Sequence, residues 1–204
     1  MARRGVKHRS HILCVQIVEM KHSASLIFVW RVAEFEARNS KSSTIEPHHL
    51  LLGLCKVVDL DLPEVLSKDL PDRNEVLEEL LREVRRLRTI FLAAGLDAKK
   101  FRRRLRRTSP ERRFELPETE SLHRSSAAKR VFAEAEHFAQ LGSSTVYPVH
   151  LLCAALFADD ENRDAILAEL NIEKKRLLTI SKREVLKPPL GLMTSSKKSR
   201  TRWN

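Results

Sequence analysis

The chain has 204 residues and a formal net charge of +11, and 42% of its residues are hydrophobic but only 5% aromatic. This length suffices for one domain with a real core or for two small ones, and the abundance of Ala, Leu, Glu, Lys and Arg favours helices. Long alternating runs of β-branched residues do not occur, which argues against a sheet protein. We therefore predict an all-α fold.

The positive charge is concentrated in three segments. Residues 1–22 carry +4, residues 99–113 carry +8 and residues 187–204 carry +5, which leaves −6 for the rest of the chain. This distribution predicts a mildly acidic body with a basic N-terminal extension over 1–22 and a basic disordered tail over 187–204.

The N-terminal segment and the cysteines bear on localisation. The apolar run over residues 12–18 is too short for a secretory signal, although the scarcity of acidic residues there leaves an organellar presequence as an alternative. Cys14, Cys55 and Cys153 form no C-x-x-C pair, and an odd count fits a reducing compartment. We expect a cytoplasmic protein without a membrane span.

Nearly the same stretch occurs twice, as SSTIEPHHLLLGLC at 42–55 and SSTVYPVHLLCAAL at 143–156. Pro47 and Pro148 suit the first position of a helix, and an apolar segment typical of a buried helix follows each proline. We interpret the shared residues of the motif as structural: Pro47, His49, Pro148 and His150. The repetition indicates an internal duplication.

The flanking segments match as well. Before each motif, apolar residues recur every three or four positions and predict a helix with one buried stripe. These residues are Leu26, Trp30, Ala33 and Ala37 in the first copy, and Ala128, Phe132, Ala135 and Ala139 in the second. After each motif, Gly95 and Asn171 suit the left-handed position at a helix C-terminus. We predict two four-helix repeats packed as one pseudo-two-fold domain.

The first repeat carries 25 extra residues, because Ile90 follows His49 by 41 positions whereas Ile166 follows His150 by 16. Residues 59–73 contain two prolines and predict a loop, and Asn74 is the predicted N-cap of a helix that ends near Ala94. This helix has a heptad seam that includes Leu77, Leu80, Val84 and Leu87. The helix either packs on its own domain or serves as an interaction helix for a partner.

With two copies of Thr-Ile/Val-x-Pro-x-His-Leu-Leu and the AAGLD and ELNIE segments, the chain resembles the Clp repeat, or Clp N-terminal, domain of the Clp/heat-shock unfoldases. On this resemblance, the domain covers 23–186. Repeat one is 23–107 with an insertion at about 59–84, the linker is 108–123, and repeat two is 124–186. The resemblance implies an all-α domain that binds substrates or adaptors for an ATP-driven unfoldase.

The sequence departs from this family in two ways. No G-x-x-x-x-G-K-[ST] motif occurs in the 204 residues, so we expect a stand-alone domain that lacks the ATPase module. Some relatives hold the guanidinium of a phosphoarginine with an acidic residue just before the motif histidine. His48 and Val149 occupy these positions here, so we predict that the protein does not bind phosphoarginine in that way.

Enzymatic and metal chemistry find little support in the sequence. His48, His49 and His150 lack a further ligand at helical spacing, and Cys55 and Cys153 lie in apolar runs. No G-x-S-x-G or zinc-hydrolase motif occurs. We therefore expect no catalytic residues, no cofactor and no metal.

A basic cluster follows the first Gly cap. Phe101 and Leu105 give it one apolar face, and its cations are Lys99, Lys100, Arg102, Arg103, Arg104, Arg106 and Arg107. The cluster is either a solvated helix face or a surface for nucleic acid, another acidic partner or anionic lipid. No helix-turn-helix or RNP-type motif accompanies it.

Two functions remain. The first is a noncatalytic adaptor, accessory or substrate-recognition protein, whose partners are Clp-type unfoldase or protease subunits or client proteins. The second is a basic helical protein that binds nucleic acid or another polyanion through residues 99–113 and the termini. The first predicts co-purification with an unfoldase or a protease core, and the second predicts salt-sensitive binding to nucleic acid.

Overall fold

The computed structural model describes residues 20–66, 73–108 and 121–187. Within these residues it contains nine helices and only short strands, which confirms the all-α prediction. The first half holds α1 (Ala24–Asn39), α2 (Pro47–Asp59), α3 (Leu62–Val65), α4 (Arg73–Ala94) and α5 (Ala98–Thr108). The second half holds α6 (Ser126–Gln140), α7 (Pro148–Phe157), α8 (Glu161–Glu169) and α9 (Lys174–Val185).

Helices that correspond in the two halves begin with the same types of residue. Ser23 and Ser125 are the N-caps of α1 and α6, and each hydroxyl accepts a hydrogen bond from the backbone N–H three residues later, at 3.1 Å. Such a bond satisfies one of the N–H groups that a helix leaves unpaired at its start. Pro47 and Pro148 occupy the first turn of α2 and α7, as the sequence predicts.

The left-handed caps also lie where the sequence predicts them. Gly95 follows α4 with a φ of 74°, and Asn171 follows α8 with a φ of 57°. In both turns the next residue donates its backbone N–H back to the helix at 2.8 Å, from Leu96 to the Phe91 carbonyl and from Ile172 to the Leu167 carbonyl. These two turns end the helices that precede α5 and α9.

Within the described ranges, four two-residue strands link the two halves of the chain. They are β1 (Lys21–His22), β2 (Thr44–Ile45), β3 (His123–Arg124) and β4 (Thr145–Val146). β1 pairs in parallel with β4, and β2 pairs in parallel with β3. Each pair therefore takes one strand from each half of the chain, so the halves interlock rather than merely lie side by side.

The core is continuous across both halves. The apolar stripes of α1 and α6 pack against α2 and α7, whose apolar side chains are almost all buried. Trp30 of α1 contacts Phe132 of α6 with ring centroids 5.2 Å apart. These two residues are equivalent in the duplication, and a contact between equivalent residues is what packing about a pseudo-two-fold axis produces.

Two predicted boundaries need correction. Lys21 and His22 fall within the predicted extension over 1–22, but they form β1 and pair in register with β4. The predicted linker over 108–123 includes Leu122, which is buried in the core, and His123, which belongs to β3. The rest of the extension, linker and tail, at 1–19, 109–120 and 188–204, lies outside the described residues.

The insertion also differs from its prediction. The segment expected to be a loop contains the short helix α3, because Leu62 and Leu66 are buried against the core, and residues 67–72 lie outside the described part. Asn74 lies inside α4, which already includes Arg73, so its prediction as the N-cap is wrong. None of the helices in the described part of the chain combines the length and apolarity that crossing a bilayer requires.

Candidate functional site: a groove between α2, α6 and α7

A groove of about 530 Å³ opens where the start of α2 meets α6 and the end of α7. Pro47 and His48 line it from the first half of the chain. One face of α6 lines it with residues spaced by three and four positions: Ala127, Arg130, Val131 and Glu134. Small residues form much of its wall on the α7 side: Ala154, Ala155 and Ala158. The groove therefore has an apolar floor that depends on small side chains.

Arg163 of α8 closes the base of the groove and is completely buried. Its guanidinium donates to the carbonyls of Ala155 and Ala158, the latter at 2.8 Å, and so satisfies the C-terminal end of α7. Its Nε donates to Asp164 at 2.7 Å. Because these partners use its donors and balance its charge, Arg163 supports the groove wall and offers no free cation to a ligand.

The rim of the groove is mostly acidic. Glu134, Asp159 and Asp160 lie around it, and Arg130 is the exposed cation among the lining residues. Asp160 also accepts the backbone N–H of Arg163 at 2.9 Å as the N-cap of α8. Phe157 stands at the edge with just over half of its surface exposed. An acidic rim around a small-residue floor suits an apolar segment that carries a basic residue.

The motif histidines act in the backbone structure of both repeats. His49 and His150 each occupy the third position of their helix, and each Nδ1 accepts the backbone N–H of the N-cap residue, from Glu46 at 3.0 Å and from Tyr147 at 2.9 Å. The two residues thus lie in the first turns of equivalent helices, and each accepts a hydrogen bond from the N-cap backbone N–H. Because the Nδ1 lone pair is used in both, these rings stabilise the helix starts.

The environment of His150 keeps its ring neutral. Burial, with a smaller contribution from the positive charge of Arg86, lowers the pKa of His150 to about 4. With Nδ1 as an acceptor, the proton of the neutral ring lies on Nε2. Over residues 20–66, 73–108 and 121–187, the side chains of His, Cys, Asp and Glu form no group of three that could hold a metal ion.

Cys55 and Cys153 lie in α2 and α7 and are both buried. Burial raises the pKa of each thiol to about 12. A thiol with such a pKa is protonated at neutral pH and is not a nucleophile.

The structure divides the basic cluster of α5 into two sets. Arg102 pairs with Asp59 at 3.1 Å and Arg104 pairs with Glu169 at 2.9 Å. Arg106 makes two bonds to Glu36 at 2.6 and 2.8 Å. These three arginines hold α5 to its neighbours, whereas Lys99, Arg103 and Arg107 point outwards. Lys100 lies on the exposed side too, 4.0 Å from Asp97.

Glu36 is the buried centre of this arrangement. The carboxylate on α1 also contacts the Lys56 ammonium at 3.2 Å, so one buried anion joins α1, α2 and α5. Burial acts to raise the pKa of Glu36, but the hydrogen bonds and charges of Arg106 and Lys56 outweigh it and hold the pKa below its usual value. The sequence analysis did not single out Glu36, since a lone glutamate within an amphipathic helix has no distinctive local pattern.

The heptad seam of α4 faces the interior of the protein. Leu80, Val84 and Leu87 are buried in the core, and Leu77 is partly buried against it. These side chains are therefore not available to a partner in the folded chain. Of the two alternatives for this helix, the structure favours packing within its own domain.

The two positions that matter for phosphoarginine lie in different surroundings. His48 lines the groove, and its ring centroid is 3.9 Å from that of His49. Val149 is completely buried in the core. The second repeat therefore presents no side chain to solvent at the position where an acidic residue would be needed.

The duplicated helices and the strands paired between the two halves define an all-α fold of two interlocked repeats, and solved structures share this fold. The N-terminal domain of Hsp104 from Candida albicans aligns with a TM-score of 0.54 and 19% identity, over 79% of this chain and 89% of that chain. The N-terminal domain of the caseinolytic protease associated chaperone ClpD from Arabidopsis thaliana aligns with a TM-score of 0.54 and 18% identity, over 86% and 100%. The protein has a Clp N-terminal-like fold.

A third structure, from an investigation of a malarial protein secretion system, aligns with a TM-score of 0.57 and 19% identity, over 81% of this chain and 95% of that chain. No model of a protein family matches the sequence, and a search of curated proteins finds no match. The likeness to known proteins is thus one of fold.

Proposed function

We propose that this protein is a noncatalytic recognition module of a Clp-type chaperone-protease system, acting as an adaptor, an accessory subunit or a substrate-recognition protein. The observation that carries the proposal is the groove between α2, α6 and α7, set in a fold shared with the N-terminal domains of Hsp104 and ClpD. Its partners in this proposal are Clp-type unfoldase or protease subunits, or client proteins.

The chemistry of the groove supports recognition of a protein segment. Its alanine-rich floor accepts an apolar side chain without displacing a large one, and Phe157 at its edge offers an exposed ring. The carboxylates of Glu134 and Asp159 favour a basic residue beside that apolar side chain. We therefore expect the bound segment to combine apolar and basic residues.

The titratable groups near the repeat motifs favour binding over catalysis. The cysteines have raised thiol pKa values, and the motif histidines are engaged with the backbone. A general base or nucleophile needs an accessible group of suitable pKa, which these residues do not supply. The proposal places the protein in the cytoplasm, where buried free thiols such as Cys55 and Cys153 persist in reduced form.

The test fills the groove with a large side chain. Ala127→Trp on α6 should block the groove, whereas Lys129→Trp puts the same ring on the exposed side of that helix. Each variant of the 204-residue chain is tagged and used for affinity capture from cells of the source organism. The captured proteins are identified by mass spectrometry. We expect Clp-type unfoldase or protease subunits with the wild type and with Lys129→Trp, and their loss with Ala127→Trp.

Circular dichroism and thermal unfolding establish that both tryptophan variants are folded. If no Clp-type subunit or client co-purifies with the wild type, the proposed function is wrong. If Clp-type subunits are captured equally by both variants, the protein has the proposed partners but the groove is not where it binds them.

A further inference from the structure

The exposed cations of α5 form a single line along the helix. Lys99, Arg103 and Arg107 follow each other at intervals of four residues, which places successive side chains about 6 Å apart along the axis. All three are exposed, and no carboxylate in the described part of the chain pairs with them. We call these three residues the α5 stripe.

The paired arginines fix the direction in which the α5 stripe points. Arg106 on one side of the helix is bonded to Glu36 of α1, and Arg104 on the other side is bonded to Glu169 of α8. The buried side chains of Phe101 and Leu105 hold the opposite face of α5 in the core. The stripe thus lies on the solvent-facing side of a helix that is anchored on its other faces.

The helix α1, to which Arg106 attaches α5, carries an exposed aromatic ring. Phe35 is 53% exposed, and the Lys56 ammonium stands 4.4 Å from the centre of its ring. The same ammonium contacts Glu36, the carboxylate that binds Arg106. The half-exposed ring is therefore linked to α5 through the contacts among Lys56, Glu36 and Arg106.

We infer that the α5 stripe and Phe35 bind single-stranded nucleic acid, with phosphates on the three cations and a base stacked on the ring. A basic track beside an exposed aromatic ring is the arrangement by which proteins bind single strands without reading their sequence. None of Phe35, Lys99, Arg103 and Arg107 lines the groove, and the inference goes beyond the proposed function and does not depend on it.

Two other acidic partners fit this surface less well. An amphipathic helix that binds anionic lipid needs a continuous apolar face to insert, but the apolar residues of α5 are buried and this surface adds to α5 only the ring of Phe35. A protein partner is usually anchored by several buried apolar contacts at the centre of the interface, whereas this surface offers the ring of Phe35 and otherwise the charged and polar groups of α5. A single strand needs only a row of charges for its phosphates and a ring on which a base can stack.

The experiment measures binding of the full chain to a fluorescent homopyrimidine single strand by fluorescence anisotropy, over about 50 to 200 mM salt. Three phosphate contacts on a single strand give a slope of log K against log salt of roughly −2 from the stripe. Replacing Lys99, Arg103 and Arg107 together with Gln should make the slope shallower by about that amount. Phe35→Ala should weaken binding about tenfold or more through lost stacking, with the slope unchanged.

The matched control removes the same charge elsewhere. Lys129, Lys175 and Arg183 are exposed cations on α6 and α9, and replacing them with Gln lowers the net charge equally but leaves the stripe intact. We expect this control to bind with nearly the wild-type slope. The inference is overturned if the two triple variants have equal salt slopes. It is also overturned if the wild type does not bind the strand at low salt, or if Phe35→Ala binds with unchanged affinity. Stripe-dependent binding to anionic vesicles without binding to the strand would do so too.

Discussion

Gly53 lies where α1 and α2 approach too closely for a side chain. A Cβ atom at this position would stand 2.8 Å from the Val29 carbonyl oxygen and 3.3 Å from the Ala33 Cβ. Backbone atoms cannot move aside as the end of a flexible side chain can. The single hydrogen of Gly53 therefore sets the distance between the two helices that carry the first repeat's core.

Gly53→Ala should lower the free energy of unfolding by about 1–3 kcal/mol, because the methyl group forces the helices apart. The gain in helix propensity, about 1 kcal/mol, opposes this loss only in part. Urea denaturation of the two proteins gives the difference. Gly142→Ala is the control, since its new Cβ would meet its nearest neighbour, the Val185 carbonyl oxygen, at an ordinary 3.8 Å. Equal stability of Gly53→Ala and the wild type would contradict the prediction.

His150 makes the stability depend on pH. Its pKa is 6.5 in its ordinary state and about 4 in the folded protein, where burial and Arg86 disfavour the charged ring. The folded state therefore binds the proton less readily than the unfolded state. The stability linked to His150 is complete above about pH 6.5 and is lost as the pH falls towards 4, by about 3 kcal/mol in all.

His150→Gln should remove this part of the acid sensitivity, because Gln does not titrate and its side-chain oxygen still suits the N-cap backbone N–H. Urea denaturation between pH 7 and pH 4 measures the slope for both proteins. His137→Gln changes an exposed histidine on α6 and should keep the wild-type slope. A His150→Gln variant with the full wild-type acid sensitivity would show that the slope arises elsewhere.

At the scale of elements, α5 is held in place by charge as well as by its two apolar side chains. Arg106 supplies two hydrogen bonds to Glu36, whose carboxylate is nearly inaccessible to water. Lys56 remains as a second partner on the α2 side. The attachment of α5 to α1 thus rests on a buried anion with two cations.

Arg106→Gln should lower the free energy of unfolding by about 2 kcal/mol, because a buried carboxylate loses its strongest partner. Arg103→Gln, three residues earlier on the same helix and without a carboxylate partner in the described chain, should change it by no more than about 0.5 kcal/mol. Chemical denaturation of both variants measures the contrast. Similar losses for the two variants would mean that the pair with Glu36 adds no stability.

The orientation of α4 can be tested on two leucines of one helix. Leu87 is 1% exposed and Leu92 is 84% exposed. Leu87→Ala should cost about 2–4 kcal/mol of unfolding free energy through the cavity it leaves, whereas Leu92→Ala should be nearly neutral. Thermal and urea unfolding give both values. A near-neutral Leu87→Ala that instead changed the oligomeric state in light scattering would restore α4 as an interaction helix.

At the scale of the whole molecule, the two halves share their helix starts but differ in the surfaces they present. The equivalent histidines, N-cap serines and exchanged strands follow the pseudo-two-fold relation. The residues before the histidines do not, since His48 faces the groove and Val149 is buried. Neither residue carries the carboxylate that a guanidinium requires.

Isothermal calorimetry with free phosphoarginine should therefore detect no saturable micromolar binding. A buried guanidinium next to Val149 would lose its hydration without a compensating hydrogen bond, and His48 offers no negative charge. His48→Glu places a carboxylate at the rim of the groove and is the matched gain-of-charge variant. Clear binding by the wild type that is abolished by substituting His48 or Val149 would prove the prediction wrong.

The sequence by itself determined the parts of this protein that depend on local interactions. Apolar spacing placed the stripes of α1 and α6, and the prolines and the Gly95 and Asn171 caps marked helix ends, because each signal lies within a few residues of what it specifies. The two copies of the motif predicted the internal duplication. The loop prediction was wrong over Leu62–Val65, which form α3, because tertiary packing of Leu62 and Leu66 outweighs the local signals. The Asn74 cap was wrong because α4 already includes Arg73.

Only the tertiary structure decided how distant residues meet. Glu36 and Arg106 are 70 positions apart, and no local pattern relates them, so the sequence could not separate the paired arginines of α5 from the exposed ones. The strand pairs that link the two halves also bring together residues that are distant in the sequence. The same is true of the groove between α2, α6 and α7. Each depends on the relative placement of whole helices, which is set by the packing of both halves at once.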